Sequence, residues 1–317
     1  MECVRICLLS IAALFSTICA ADVPYCGLTN ADPFSDRIVG GIESIPHEFP
    51  WMVKLKKKNT FYCGAALIAD KYVLTAGHCV CLYEEGTPRE PKAVRGNIVN
   101  YYLFQAADIK AELGSHTTVD KDPNLLRQVT GIILHPEYDV FLSNGIMIQT
   151  NDLALLKIPA VQFSTSVIPI CLPNQGDRVP DNSVVIVAGW GSTNTETVED
   201  KVTKLPDVLM KTALIKIPWE TCRKNPNVGI HLEPANNMND KEIFCLIGNN
   251  TDACRGDSGG PAVVYTVQGF VVAGIVSWGI GCNQINYPAA YTQVSSYVDF
   301  IQSSSKDGVY LPKRPWM

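Results

Sequence analysis

Three short stretches of the chain each contain a residue type that serves nucleophilic catalysis. His78 lies in TAGHC, Asp152 in NDLALL and Ser258 in GDSGGP. A serine hydroxyl is a weak nucleophile at neutral pH, so it needs a base to take its proton and an acid to orient that base. Any one of these residues alone is more often a surface or packing residue. Together, in separate motifs of one chain, they predict a catalytic triad.

The order His, Asp, Ser and the residues around each of them resemble the trypsin and chymotrypsin family from about residue 37 to residue 301. The resemblance implies hydrolysis of peptide bonds through an acyl-enzyme. His78 would act as general base and then acid, Asp152 would orient it, and Ser258 would be the nucleophile. The backbone N–H groups of Gly256 and Ser258 would form the oxyanion hole. No cofactor is implied.

The resemblance also locates a substrate pocket. Asp252, six residues before Ser258, would form its floor, and a buried carboxylate there selects a guanidinium or an ammonium. We therefore expect cleavage after Arg or Lys. Ser277, Trp278 and Gly279 match the edge strand that pairs with substrate. Where this chain has Ala289, such relatives usually have glycine, so the alanine methyl group narrows the pocket. Because of this departure, a catalytically silent homologue that acts as a binding or cofactor module stays the alternative.

The N-terminus predicts secretion. Residues 6–18 form an apolar run after Arg5, and small residues follow at Ala20 and Ala21, as in a secretory signal peptide. No other stretch approaches the ~18 apolar residues of a membrane helix, so we expect an extracellular protein without membrane association.

The sequence around Arg37, DRIVGG, predicts activation by cleavage. The resemblance implies that a trypsin-like protease cuts after Arg37 and that the new ammonium of Ile38 inserts beside Asp257, which orders Gly256 and the pocket. The precursor would be a zymogen.

The chain then divides into four parts. We assign residues 1–21 to the signal peptide, 22–37 to a prosegment tethered by Cys26, 38–303 to the protease domain and 304–317 to a poorly ordered C-terminal tail.

Nine of the twelve cysteines remain after the signal peptide is removed, an odd number. Spacing alone leaves their connectivity open. The resemblance implies the disulfides Cys26–Cys171, Cys63–Cys79, Cys222–Cys245 and Cys254–Cys282. Cys81 is left over as a free thiol, as a bridge to a second chain, or as a partner of Cys79 after local rearrangement. We predict no metal at Cys79 and Cys81, because a closed zinc site needs four ligands.

Strand-like segments dominate the body of the chain. Residues 65–76, 183–188 and 269–278 are rich in Val, Ile, Ala and Leu and end at turn residues, whereas residues 297–301 suggest a short C-terminal helix. Composition predicts an all-β barrel or sandwich. The resemblance implies two antiparallel β-barrels with the active site in the cleft between them.

A long segment follows the histidine. Between His78 and Asp152 lie 73 residues, and most of the excess over compact relatives falls within residues 80–107. The aromatic residues of this segment favour a structured rim of the cleft over disorder. Such a rim suits narrow specificity for protein or peptide substrates, and we expect it to exclude bulky inhibitors from the cleft. An activating trypsin-like protease and protein protease inhibitors are the other expected partners.

Three remaining features concern ions and modification. The net charge of −5 argues against nucleic-acid binding through a basic surface. The basic run from Lys54 to Lys58 is predicted to be a solvated strand end and hairpin turn, in preference to a patch for acidic partners. Ser115 stands where calcium-binding relatives have an acid, so we predict no calcium, although Asp120 and Asp122 leave a site open. Asn249 begins the one clear N-glycosylation sequon.

Overall fold

A computed structural model of the chain describes residues 25–31, 41–84, 97–98, 100–118, 125–193, 205–232, 238–249, 251–282 and 284–315. The strands are β1 (Ile42–Glu43), β2 (Met52–Lys57), β3 (Thr60–Ala69), β4 (Tyr72–Thr75), β5 (Cys81–Glu84), β6 (Asn97–Ile98), β7 (Asn100–Leu103), β8 (Ile109–Leu113), β9 (Leu126–Gln128), β10 (Gly131–Leu134), β11 (Asp139–Ser143), β12 (Ile146–Thr150), β13 (Ala154–Lys157), β14 (Val184–Gly189), β15 (Met210–Ile217), β16 (Ile243–Ile247), β17 (Pro261–Thr266), β18 (Gly269–Trp278) and β19 (Ala289–Gln293). The helices are α1 (Trp219–Arg223) and α2 (Val298–Ser304), with 3-10 turns at Gly77–Val80, Ala106–Asp108, Gly229–His231 and Val294–Ser296.

The C-terminal half forms a closed antiparallel barrel of six strands. Its order is β15-β14-β17-β18-β19-β16, and β16 pairs back with β15, while β1 adds to the outer edge of β15. Inward side chains such as Val185, Leu214 and Tyr291 are fully buried. Closure pairs the two ends of the sheet with each other, which satisfies backbone groups that an open sheet would leave exposed. The prediction of an all-β chain is confirmed.

The N-terminal half forms a curled antiparallel sheet of seven strands in the order β10-β13-β4-β3-β2-β8-β9. The predicted strand at residues 65–76 is in fact two strands, β3 and β4, because the chain turns at Asp70 and Lys71. The hairpin turn predicted beside the lysine run is present: Lys58 and Asn59 both adopt positive φ between β2 and β3.

The prediction that the whole lysine run is solvated is wrong for its first member. Lys54 is fully buried on β2, where its Nζ lies 2.5 Å from Glu112 Oε1 and donates to the carbonyl of Thr117 at 2.6 Å. A buried ammonium needs such partners, because desolvation would otherwise expel it or neutralise it.

The long segment after His78 is partly built into strands. β5 pairs with β7, and β6 pairs with β11 of the β11–β12 hairpin, which makes a separate three-stranded sheet in the order β12-β11-β6. The described ends of residues 80–107 are therefore structured, whereas residues 85–96 and 99 lie outside the described part.

The C-terminal tail is docked on both halves, which differs from our expectation of poor order. Asp307 accepts hydrogen bonds from Tyr72 Oη at 2.5 Å and from Lys157 Nζ at 2.7 Å on the N-terminal sheet. Farther along, the carbonyl of Pro312 accepts from the backbone N–H of Cys26 at 3.0 Å. These partners tie down residues 305–315. None of the helices in the described ranges has the length and apolar character needed to cross a bilayer.

Candidate active site

His78 is held at the end of β4 by local packing. It lies in the 3-10 turn Gly77–Val80, and the disulfide of the next residue, Cys79, with Cys63 ties this turn to β3. At Gly77 an added Cβ would lie 2.7 Å from the ring of Tyr138, so only glycine lets the turn pack so closely. The imidazole is thereby placed at the inner edge of the N-terminal sheet.

Both carboxylate oxygens of Asp152 form hydrogen bonds with His78. Its Oδ2 lies 2.8 Å from His78 Nδ1, and its Oδ1 accepts from the backbone N–H of His78 at 2.9 Å. From the other barrel, Ser277 Oγ donates to Oδ2 at 2.5 Å, and Thr292 Oγ1 donates to the backbone carbonyl of Asp152 at 2.9 Å. The aspartate therefore orients the imidazole and joins the two halves.

The titration of this pair is set by their mutual charge. Burial by itself lowers the pKa of His78, but the charge of Asp152 and its hydrogen bond outweigh burial, so the pKa of His78 is raised. For Asp152, burial acts upward, yet the charge of His78 and the hydrogen bonds from His78 and Ser277 lower its pKa. Asp152 thus stays ionised and supports an imidazolium.

The loop that carries Ser258 is anchored on both sides of the cleft. The backbone N–H of Gly64 donates to the carbonyl of Ser258 at 2.8 Å. Gly259 has φ +78°, and a Cβ there would lie 2.2 Å from Thr75 Oγ1 and 3.0 Å from Cys79 Sγ. The serine loop is therefore packed against the residues that flank His78. Gly256, the predicted oxyanion residue, has φ +102°, a conformation that favours glycine.

Ser258 lines a cavity of about 220 Å³ between the β11–β12 hairpin and β18. Four of the predicted substrate residues, Ser277, Trp278, Gly279 and Ala289, line the same cavity. An added Cβ on Gly279 would lie 3.3 Å from Ala289 Cβ, so the alanine methyl faces Gly279 at close range.

Asp252 lies in a neighbouring cavity of about 370 Å³, which it shares with Gly41 and Asp257. Ala253, the next residue, lines both cavities. Burial raises the pKa of Asp252 to about 8, although the N–H of Ala253 donates to its Oδ1 at 2.8 Å. The structure therefore places Asp252 behind the wall of the cavity that Ser258 lines.

Asp257 is buried beneath the serine loop. It accepts backbone hydrogen bonds from Cys254 at 2.9 Å and Gly191 at 2.8 Å. Burial still raises its pKa to about 6. Arg37 and Ile38, the predicted activation residues, lie outside the described part of the chain.

Within the described ranges the cysteines form four disulfides, and they are the pairs that the resemblance implies: Cys26–Cys171, Cys63–Cys79, Cys222–Cys245 and Cys254–Cys282. Cys81 is a buried free thiol whose pKa is raised to about 12 by burial and by the charge of Asp152. The alternative pairing of Cys81 with Cys79 is wrong, because Cys79 is bonded to Cys63.

The structure describes some of the residues predicted to bear on metal binding, calcium binding and glycosylation. In the described ranges, the group Cys63, His78 and Cys79 is close enough to hold a metal, but its two sulfurs share a disulfide and offer no thiolate. Ser115 Oγ donates to Glu112 at 2.6 Å, whereas Asp120 and Asp122 lie outside the described part. Asn249 is exposed.

Sequence reasoning missed two contributors to the site. Ser277 was assigned to the substrate strand only, and its bond to Asp152 spans 125 residues, a separation at which no local pattern signals contact. Thr292 was not singled out at all, although it follows Tyr291 on β19 and its Oγ1 donates to the backbone carbonyl of Asp152.

Comparison with known proteins agrees with this geometry. The family model described as Trypsin matches residues 38–301. The chain is 32% identical over 274 residues to Trypsin-1 of Astacus astacus, an alignment that covers 84% of this chain and 100% of the relative. It is 34% identical over 288 residues to Phenoloxidase-activating factor 3 of Holotrichia diomphalia, with coverage of 88% and 74%. The chain belongs to the trypsin family of serine proteases.

Proposed function

We propose that this chain is a secreted, zymogen-derived endopeptidase that hydrolyses peptide bonds after Arg or Lys. The observation that carries the proposal is the double hydrogen bond between Asp152 and His78 beside the cavity that Ser258 lines. His78 takes the proton of Ser258 as the oxygen attacks the substrate carbonyl and returns it to the leaving amine. Water then hydrolyses the acyl-enzyme with His78 again as base.

The preference for a basic residue is supported by Asp252. Its carboxyl is buried, and burial together with the charge of Asp257 raises its pKa to about 8. A guanidinium or ammonium reaching toward Ala253 would lower this pKa and recover the desolvation cost. The Ala289 methyl group narrows the substrate pocket, so we expect it to reduce cleavage after Arg, the longer side chain, more than cleavage after Lys.

The triad is tested with Ser258→Ala in the activated protein. We expect hydrolysis of an Arg-terminated chromogenic peptide to fall by several orders of magnitude while the melting temperature stays nearly unchanged, because the nucleophile is lost and its packing is kept. The unmutated protein should also be labelled covalently by a serine-directed phosphonate, whereas the variant should not. An unmutated protein that binds substrate but neither cleaves it nor takes the label would favour the silent homologue.

Activation by cleavage is supported by the cavity beside Asp257. Gly41 lines it, and Ile38 lies only three residues earlier in the chain. A new ammonium there would pair with Asp257 and lower the raised pKa of that carboxyl. By the same pairing the amine's pKa rises above its usual ~7.7–8.0, so the pair forms at neutral pH and is lost as pH rises through the raised value.

Arg37→Gln tests this activation step. We expect the variant to resist a trypsin-like activator and stay inactive, whereas the unmutated chain gains activity together with a new N-terminus at Ile38. The measurement is N-terminal sequencing in parallel with peptide hydrolysis. Full activity with the Arg37–Ile38 bond intact would contradict the proposal. Under non-reducing conditions the prosegment should stay attached through Cys26 and Cys171.

The setting we propose is extracellular and regulatory. The four disulfides and the N-terminal apolar run suit an oxidising compartment. One relative is named as an activating factor for phenoloxidase, which favours limited cleavage of a protein substrate over digestion. The other relative is named simply as a trypsin, so digestion stays the comparison case. Fragment patterns from folded protein substrates separate the two roles, since a regulatory protease leaves few products.

A further inference from the structure

Lys54 is buried at a point where residues of both halves of the molecule meet. Its Nζ lies 2.5 Å from Glu112 Oε1 and donates to the carbonyl of Thr117 at 2.6 Å, and both partners belong to the N-terminal half. The same Nζ lies 5.1 Å from the centre of the Trp190 ring, and Trp190 directly follows β14 of the C-terminal barrel. A cation within about 6 Å of an aromatic ring is attracted to its face. Lys54 therefore connects the two halves.

The ion pair of Lys54 with Glu112 is a costly way to stabilise a fold. Lys54 is fully buried and Glu112 is 5% exposed, so both charges lose most of their hydration. Replacement of a buried ion pair by apolar side chains of similar volume is often neutral or stabilising. The pair therefore favours a role in fixing geometry over a role in stability.

The carbonyl that Lys54 binds belongs to a segment that joins the two halves. This segment follows β8, and within it Thr117 forms an isolated antiparallel bridge with Val208, just before β15. The neighbouring carbonyl, that of His116, accepts from Trp190 Nε1 at 3.0 Å. Lys54 thus contacts the Trp190 ring directly and also holds the segment that binds the indole N–H.

Trp190 leads directly to the predicted oxyanion hole. The next residue, Gly191, donates its backbone N–H to Asp257 Oδ1 at 2.8 Å. An added Cβ on Gly256 would lie 3.0 Å from Gly191 Cα, so the two glycines are in close contact. A shift of Trp190 would therefore be passed on to the backbone N–H groups of Gly256 and Ser258.

We propose that Lys54 is a positioning residue that acts through Trp190 on the oxyanion hole of the serine loop. This inference rests on the proposed function. Donors of an oxyanion hole stabilise the charge that develops in the transition state, and they do so only when they are held in place beforehand. Loss of the Lys54 ammonium should therefore weaken binding of the transition state and leave binding of the substrate nearly unchanged.

The test measures kcat and KM of activated Lys54→Met on a peptide that ends in Arg at the cleaved bond. Methionine keeps the length of the side chain and removes its charge, while Glu112 retains Lys56 and Ser115 as partners. We expect kcat to fall about tenfold, a fraction of the ~10²–10³-fold lost with a whole oxyanion donor. KM should stay nearly unchanged.

Two inhibitors separate the oxyanion hole from the substrate pocket. Ser258 adds to the carbonyl carbon of a peptide aldehyde ending in Arg, and the aldehyde oxygen of this tetrahedral adduct lies in the hole. Its affinity for Lys54→Met should fall about as much as kcat, because the adduct resembles the transition state. Benzamidine forms no such adduct, so its affinity should be unchanged. Equal losses for both inhibitors would overturn the inference.

The matched control is Lys56→Met, which makes the same change two residues along β2 and removes the other lysine that pairs with Glu112. This control should keep kcat. A drop in kcat as large as that of Lys54→Met would place the effect in the charge of Glu112 and overturn the inference.

A double variant, Lys54→Met with Glu112→Leu, separates positioning from stability. Its melting temperature should equal or exceed that of the unmutated protein, because an apolar pair replaces the buried charges. Its kcat should stay low. Recovery of kcat together with the melting temperature would show a purely structural role and overturn the inference, and this variant carries the test if Lys54→Met does not fold.

The proposed function and this inference fail differently. Cleavage after Arg with the same kcat in Lys54→Met and in the unmutated protein overturns the inference and leaves the proposed function intact. Failure of the unmutated protein to cleave any Arg peptide overturns both.

Discussion

At the scale of single residues, Asp152 makes the hydrogen bonds that hold His78 in position. Its two oxygens hold the ring and the backbone of His78, and Ser277 adds a third hydrogen bond from the opposite barrel. The net result is a His78 pKa above the usual value. Since His78 must be neutral to act as base, activity should decline as pH falls through this raised pKa, that is, earlier than for an ordinary histidine.

Asp152→Asn tests this arrangement. We expect kcat to fall by about 10⁴-fold, because the amide favours the wrong tautomer of His78 and no longer stabilises its cation. In the residual activity the acid limb of the pH profile should move to lower pH, since the charge that raised the pKa is gone. Asp108→Asn, at an exposed site, serves as control. An unmoved acid limb would contradict the role given to Asp152.

At the scale of elements, the β11–β12 hairpin connects the halves of the molecule. It belongs to the N-terminal half, yet Phe141 and Ile148 pack into the cluster of the C-terminal barrel that includes Trp278 and the Cys222–Cys245 disulfide. Ser143 Oγ also lies 2.9 Å from His231 Nδ1. The hairpin therefore sets the position of the cleft wall relative to the substrate strand.

Phe141→Ala should loosen this wall. Truncation of a buried aromatic ring costs about 3–5 kcal/mol, here concentrated at the contact between hairpin and barrel. We expect KM to rise for peptides that extend along Trp278 and to change less for a single-residue Arg ester. Leu142→Ala, on the opposite face of β11, is the matched control. Equal effects on long and short substrates would mean that the hairpin does not position substrate.

At the scale of the whole molecule, residues 25–31 and the C-terminal tail are held against the body of the protein and against each other. Residues 25–31 are held by the Cys26–Cys171 disulfide and by Thr29 and Asn30, which donate to the carbonyls of Glu48 and His47. The tail crosses from Asp307 on the N-terminal sheet to Pro312 beside Cys26. The two segments meet at that point.

Deletion of residues 306–317 should lower the melting temperature by roughly a few degrees and leave kcat unchanged.

Asp307→Asn isolates the charge: its hydrogen bonds with Lys157 and Tyr72 lower the pKa of Asp307 to about 2. A carboxyl whose pKa is lowered in the folded protein stabilises the fold at pH values above its unfolded pKa of ~3.9. The difference in melting temperature between the variant and the unmutated protein should therefore shrink as pH falls from about 4 toward 2. Asp299→Asn, an exposed acid on α2, is the control. A difference that persists at pH 2 would contradict the assignment.

The sequence by itself predicted the residues of the triad and determined the class of fold that presents them. His78, Asp152 and Ser258 each stand in a local motif, strand patterns recur along the chain, and the resemblance they carry implied the disulfide pairs and the barrels. These features can be predicted from the sequence because they depend on neighbours within a few residues or on a shared family pattern.

Tertiary structure alone decided the contacts that join distant residues. The bond from Ser277 to Asp152 arises only when the two halves close, and the burial of Lys54 against Glu112 arises only when β2 pairs with β8. The placement of Asp252 behind Ala253 and the docking of the tail on Tyr72 are of the same kind. Burial and hydrogen-bond partners depend on packing between elements that lie far apart in the chain, and local composition carries no record of them.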